Sequence, residues 1–187
     1  MGEGFDDDDV LVVALRRRDR AAFEWLVDTY SGPLRRLALN FVRTSAVADE
    51  VVQETWLGVI NGIDRFEQRS SVKTWLYRIL VRLALDRAET LKNRRARETV
   101  VEDPEEHVAA AAPDGGLARL LDRLLAELPP AQRATLTLFY YEDRPVAEIA
   151  EMLNMPENTV KTHMSRGRAT LREGYEREAR AGGVHGR

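Results

Sequence analysis

The sequence predicts an all-α protein, two small helical domains joined by a flexible acidic linker. Three observations lead there. Apolar residues recur three and four apart along most of the chain, and no strand alternation stands out. Aromatic residues make up only 7% of the chain, beside 12 Gly and 7 Pro, unlike a turn-rich sandwich or barrel. Residues 99–116 lack a sustained apolar stripe and carry Pro104, Pro113, Gly115 and Gly116 among acids, which reads as a linker. It divides the 187 residues into a first domain over 10–98 and a second over 117–178, each near the lower size limit for its own core. An acidic tail over 1–9 and a C-terminal tail over 179–187 are expected at the ends.

The elements follow in order. An apolar run over 10–18 ends in Arg16, Arg17 and Arg18, cations suited to a helix C-terminus. Asp19 is placed to cap the next helix, whose stripe is Ala22, Phe23, Leu26, Val27 and Tyr30. Ser31-Gly32-Pro33 is expected to interrupt it, with Leu34, Leu37, Ala38, Phe41 and Val42 carrying a helical period on to about Arg43. Thr44 or Ser45 caps a third helix over 46–62. Val52, Trp56, Val59 and Ile60 lie on one side of it, Glu50, Gln53, Glu54 and Leu57 on another. Residues 64–71 read as a loop, and a fourth helix over 71–90 carries Trp75, Leu76, Ile79, Leu83 and Leu85. In the second half, Leu117, Leu120, Leu121, Leu124, Leu125 and Leu128 form a leucine face that Pro129-Pro130 stops. Pro130 suits the first position of a helix over 130–141. A short helix opened by Arg144 and Pro145 runs to Leu153, and a last helix covers 157–178.

Composition excludes several chemistries. There is no Cys, so disulfides, thiolate zinc sites and a cysteine nucleophile are out. His107, His163 and His185 are too far apart to read as a metal set. No metal or cofactor is expected. No run approaches the roughly 20 apolar residues that span a bilayer, and the acidic N-terminus does not read as a secretory leader, so no membrane insertion and a cytoplasmic address are expected. The net charge of −3 hides a strong asymmetry: residues 65–97 hold ten bases against three acids, while 98–114 hold six acids and no Lys or Arg.

Three motifs carry function. Residues 145–171 have the pattern of a helix-turn-helix. Val146, Ile149, Ala150 and Leu153 form an inner face, and Ala150 is small where the helices cross. Asn154 sits at the sharp turn and tolerates left-handed backbone. In the second helix Val160, Met164 and Leu171 point inward, leaving Asn158, Thr159, Lys161, Thr162, His163, Ser165, Arg166 and Arg168 on the outer arc, a set suited to base edges and phosphates. The second motif is the acidic and amide face Asp49, Glu50, Gln53 and Glu54, which suits Arg and Lys on a partner. Spacing alone favours a solvated helix face. In the third, Phe66, Trp75 and Tyr77 lie among Arg65, Arg69, Lys73, Arg78, Arg82 and Arg87, a mixture that fits single-stranded nucleic acid. Trp75 reads as core, whereas Phe66 and its loop are expected to face a base.

Asp49-Glu50-Val51-Val52-Gln53-Glu54-Thr55-Trp56-Leu57, Ile63-Asp64-Arg65-Phe66, Lys73-Thr74-Trp75-Leu76-Tyr77-Arg78-Ile79, Leu128-Pro129-Pro130-Ala131-Gln132-Arg133, Ala147-Glu148-Ile149-Ala150 and Thr159-Val160-Lys161-Thr162 together resemble an extracytoplasmic-function (group IV) sigma factor of bacterial RNA polymerase, of the sigma-70 family. The resemblance covers about 10–178, with the motifs in the family's order.

It implies a σ2 domain over 10–98 and a helix-turn-helix σ4 domain over 117–178. Asp49, Glu50, Gln53, Glu54 and Leu57 would contact the β′ clamp helices of core polymerase. Arg65, Phe66, Glu67, Gln68, Arg69, Ser70 and Ser71, with Lys73, Arg78 and Arg82 on the adjoining helix, would hold a melted −10 element. Arg82 stands where many members carry Asn beside the flipped base. Arg144, Asn158, Thr159, Lys161, Thr162, His163, Ser165, Arg166 and Arg168 would meet the duplex −35 element, σ4 also meeting the β flap. An anti-sigma factor is a further expected partner. A linker of about 18 residues reaches at most about 60–65 Å, enough for promoter elements one to two turns apart at about 34–36 Å per turn. Two other classes stay open at this point. One is a helix-turn-helix regulator that binds duplex and recruits polymerase; the other is a helical enzyme, for which the chain offers no nucleophile constellation, phosphate loop or metal set.

Overall fold

Asp7 opens the first helix. Its carboxylate accepts from the N–H groups of Asp9 (2.8 Å) and Val10 (3.4 Å) and caps α1 (Asp8–Arg16). Asp7 to Asp9 are therefore cap and first turn rather than tail, which suits the positive end of the helix dipole. The computed structural model describes Phe5 and residues 7–42, 44–97 and 116–182. Most of the predicted linker, 99–115, lies outside the described residues, as do Arg43 and the end of the chain after Gly182.

Asp19 caps α2 (Arg20–Ala38), which runs unbroken through Pro33, where the sequence predicts a break. A proline inside a helix costs about 3 kcal/mol. Here the apolar period does not stop at it. Ala22, Leu26, Leu34, Leu37 and Ala38 are all fully buried on one stripe, and their burial outweighs the lost hydrogen bond. Thr44 caps α3 (Ser45–Gly62) through the N–H of Val47, at 3.3 Å. A 3₁₀ turn over Ile63–Arg65 and a loop lead into α4 (Val72–Arg97), which ends seven residues later than expected. α3 and α4 pack closely, because an added Cβ on Gly62 would stand 3.0 Å from the Trp75 ring.

The second half holds α5 (Gly116–Glu127), α6 (Pro130–Tyr140), α7 (Val146–Met152) and α8 (Glu157–Gly182). Leu124 and Leu128 of the predicted leucine face are buried, while Leu121 is 40% exposed. Among the described residues there is no strand.

The two halves pack against each other. α7 lies on α4 and α6 on α2, so the buried side chains of both halves form one continuous core. Polar contacts reinforce the seam. The Glu142 side chain, 8% exposed, accepts from Arg36 Nη2 (2.8 Å) and from the hydroxyl of Tyr77 (3.2 Å). Arg133 Nη2 donates to the Asn40 carbonyl at 2.6 Å, and the Thr137 hydroxyl to Asn40 Oδ1 at 3.2 Å. Burial, reinforced by the Glu142 carboxylate, pushes the Tyr77 phenol above its ordinary value, so it is a donor throughout the physiological range. Glu142→Ala strands that buried hydroxyl at a cost of about 1–3 kcal/mol. We predict that the halves then part: the radius of gyration from small-angle scattering rises while helical circular dichroism is kept. A scattering profile identical to wild type would tell against Glu142 as the clasp.

Candidate polymerase and nucleic-acid interfaces

On α3, the side facing away from α4's core residues carries the acids. Glu50, Gln53 and Glu54 are exposed and Leu57 is 58% exposed, whereas Val51, Val52, Thr55 and Val59 are buried. Asp49 is half-buried and held by Arg35 Nε at 2.6 Å. Arg87 on α4 reaches back to Glu50 (2.6 Å) and Glu54 (3.2 Å). The surface is thus acidic but ordered, with Leu57 providing an apolar edge. Such exposed pairs contribute about 0–1 kcal/mol each, so the acids are available to a partner's cations at little cost.

The loop between the 3₁₀ turn and α4 is built on a ring stack. Phe66 is 6% exposed and lies on Trp75 with centroids 4.6 Å apart and planes at 24°. The sequence expectation that the Phe66 ring faces a base is corrected here: the ring is a platform beneath the loop. The loop's exposed chemistry is Arg65, Glu67, Gln68, Arg69 and Ser71, with Ser70 half-buried. Glu67 and Arg69 pair at 2.7 Å. Gln68 has φ 53°, in the left-handed region. Contacts from α1 hold the backbone. Arg16 donates to the carbonyls of Phe66 (2.6 Å) and Ile63 (3.4 Å), Asp9 Oδ1 accepts from Gln68 Nε2 (2.7 Å), and Asp8 Oδ2 accepts from the N–H of Val72 (3.0 Å).

On α4, Arg78 and Arg82 are exposed and Lys73 is half-buried. Burial pulls the Lys73 ammonium below its ordinary value, with Arg144 acting the same way and Glu142 and Glu148 opposing. Arg78 lines a cleft with Ala147, Ala150 and Glu151 of α7 and Pro156 and Glu157 beyond it.

α7 and α8 form a helix-turn-helix. Asn154 has φ 51°, as its place at the turn requires, and the N–H of Met155 bonds back to the Ala150 carbonyl at 2.9 Å. Val160 and Met164 are buried, and Gly167 lets α8 approach α6 where an added Cβ would stand 2.9 Å from Leu136 Cδ1. Asn158, Lys161, Thr162, Ser165, Arg166 and Arg168 are exposed on one arc, with Thr159 and His163 half-buried at its edges. The Arg168 guanidinium lies 5.4 Å from the Phe139 ring and 5.6 Å from that of Tyr140, which pre-organises it. Arg144 is half-buried, bonded to the Glu142 carbonyl and paired with Glu148 at 3.5 Å. Among the described residues no cluster of His, Asp and Glu is arranged to hold a metal ion. No helix among them is long and apolar enough to cross a membrane.

Residues 26–95 match Sigma-70 region 2 and residues 118–171 match Sigma-70, region 4. The ECF RNA polymerase sigma factor SigM of Mycobacterium tuberculosis is 34% identical over 153 residues, covering 82% of this chain and 76% of SigM. This chain belongs to the extracytoplasmic-function sigma factors. SigW of Bacillus subtilis, another such factor, is 28% identical over 175 residues, 85% of this chain and 91% of SigW. The fold is shared with CnrH, solved in complex with the cytosolic domain of CnrY (TM-score 0.66, 20% identity, 90% of this chain and 97% of that one). It is shared equally with the sigma factor RpoE, solved with the anti-sigma factor NepR from Bartonella quintana (TM-score 0.66, 23% identity, 82% and 96%).

As a sigma factor the chain serves promoter-directed transcription initiation, a regulatory role rather than a catalytic one. The loop, the acidic face and the recognition arc that the sequence assigns stand at three separate places on it. Sequence reasoning missed the parts that hold them: Asp8, Asp9 and Arg16 behind the loop, Arg87 across the acidic face, and Glu142 between the halves. A run of acids directly before an apolar period is a helix-start signal, so Asp7 to Asp9 were open to that reading. Because Phe66 is platform, Phe66→Ala should act first on stability. Removing a buried aromatic costs about 3–5 kcal/mol, and thermal unfolding should show it as a clear fall in Tm. An unchanged Tm would mean that the ring is not packed as described.

Proposed function

We propose that this sigma factor reads the −10 element as melted single strand through residues 65–71 with Lys73, Arg78 and Arg82, and the −35 element as duplex through the arc of α8 with Arg144. The acidic face of α3 (Asp49, Glu50, Gln53, Glu54, Leu57) docks on the β′ clamp helices of core polymerase, and σ4 meets the β flap. The domains are a σ2 unit over 10–98 and a σ4 unit over 117–178, acting in the cytoplasm beside polymerase. The observation that carries this is the separation of charge. An exposed acidic helix face is repelled by phosphates and suits a cationic protein surface, while the arc of α8 presents Lys161, Arg166 and Arg168 and suits DNA. Phe66 serves beneath the −10 loop, and the unpaired base meets the polar side chains above it. Unstacking that base costs a few kcal/mol, which the pocket's contacts offset.

The packed arrangement bears on how this works. With α7 on α4, Lys73 is half-buried and Arg78 opens into the cleft beside Pro156. One compact body does not lie on two promoter elements a helical turn or more apart, so engagement separates σ4 from σ2. RpoE is held by the anti-sigma factor NepR. By analogy of fold, an anti-sigma partner of this chain would bind both halves while they are together.

Run-off transcription with core polymerase over genomic fragments tests the reading. The full chain should yield starts that core alone does not. Glu54→Lys should weaken binding to core by about tenfold or more, on the scale of a charge reversal beside a docked cation, while circular dichroism and −35 duplex binding stay as in wild type. No chain-dependent start on any fragment would sink the function; unchanged core affinity in Glu54→Lys would sink the docking face alone.

A further inference from the structure

We propose that Asp8 and Asp9 are positioning residues for the −10 loop, their carboxylates fixing the shape in which residues 67–71 meet an unpaired base. The inference rests on the −10 assignment above. Left to itself the loop has little to hold it: the Glu67–Arg69 pair is fully on the surface, and Gln68 sits at φ 53°, a conformation that non-glycine residues keep only when their surroundings impose it. The restraints come from α1 and are spread along the loop. Arg16 takes the carbonyl of Phe66 at its start, Asp9 takes the side chain of Gln68 at its middle, and Asp8 takes the N–H of Val72 at its end. These groups stand on a rigid element, since Leu11, Val12 and Leu15 bury the other face of α1.

The charge makes the placement informative. Carboxylates beside a DNA-facing loop repel phosphates, so their presence there calls for a use that outweighs the repulsion. Asp8 also fills the N-terminus of α4, where free N–H groups would otherwise attract a backbone phosphate. The Ser71 hydroxyl accepts from the N–H of Thr74 at 3.1 Å. With the N–H groups of Val72 and Thr74 taken from within the chain, the end of α4 has fewer donors to offer a phosphate, which leaves recognition mainly to the loop's exposed side chains.

The test uses holoenzyme made from core polymerase and the full chain, with a fragment on which the wild type starts transcription and its single-base −10 and −35 variants. Two double variants are compared. Asp8→Ala with Asp9→Ala removes both acceptors; Asp8→Asn with Asp9→Asn keeps an acceptor oxygen at each position. The alanine pair should lose about tenfold in discrimination among −10 bases, the scale of one charge-assisted hydrogen bond. The asparagine pair should restore most of it, and −35 discrimination and core affinity should not move. In the free chain, amides 67–72 should exchange hydrogen faster in the alanine pair. An unchanged −10 profile overturns the proposal while leaving the function standing. So does tighter promoter binding in both pairs alike, which would make the carboxylates mere repellents, or an equal loss at −10, −35 and core, which would make their role general stability. A wild type that starts no transcript removes the −10 assignment and this proposal with it.

Discussion

The antiparallel seam between α3 and α4 is the constraint on which the σ2 surfaces depend. Gly62 lies beneath Trp75, Gly58 beneath Ile79, and Arg87 reaches Glu50 and Glu54, so the numbering rises along one helix as it falls along the other. One seam therefore sets two distant features. At one end the Trp75 ring, packed close to Gly62, stacks on Phe66 and so sets the height of the loop proposed to read the −10 element. At the other, Arg87 organises the acids proposed to meet polymerase. A shift of one residue along α3 would carry Glu50 and Glu54 toward the core and bury unpaired carboxylates, which is why the register is strongly specified.

Much of this was legible because it rests on local rules. Asn154 could be placed at a left-handed turn from its neighbours Leu153 and Pro156, and the structure gives it φ 51°. The cap of α3 could be narrowed to Thr44 or Ser45 for the same reason, since a cap is a matter of one side chain and a nearby N–H, and the structure gives it to Thr44. The outer arc of α8 followed from period alone. What local rules misjudged were cases where tertiary burial decides. Pro33 reads as a break until Leu34, Leu37 and Ala38 are seen continuing the buried stripe of Ala22 and Leu26. Phe66 reads as a free ring until Trp75, nine positions on, is found parallel to it. Glu142 sits in a polar turn between helices, and nothing local marks it as the residue that Arg36 and Tyr77 share.

Burying Phe66 changes what the loop proposed for the −10 element can recognise with. An exposed ring stacks on any base and discriminates weakly, since every base has a π-face. A polar loop held above a buried ring offers donors and acceptors instead: the Gln68 amide, the Ser70 and Ser71 hydroxyls, and the charged ends of Glu67 and Arg69. Such groups distinguish bases by the edges they present. Discrimination of that kind needs fixed geometry, so a loop that reads by hydrogen bonding is one whose backbone must be held from outside.

The join between the halves combines apolar burial in the shared core with a few polar bonds. Between them run the bonds of Glu142 to Arg36 and Tyr77, and those of Asn40 with Arg133 and Thr137. At a net 0.5–1.5 kcal/mol apiece, these polar contacts add on the order of 2–6 kcal/mol to that apolar burial. Turning a two-state balance from one side to the other takes about 5.5 kcal/mol of differential binding. In the proposed function, polymerase and promoter contacts on three separate surfaces favour the parted arrangement, because only there would all three engage together. A partner that grips both halves while packed adds its binding free energy to the other side of the balance. On that reading, which partner holds the chain decides which arrangement it adopts.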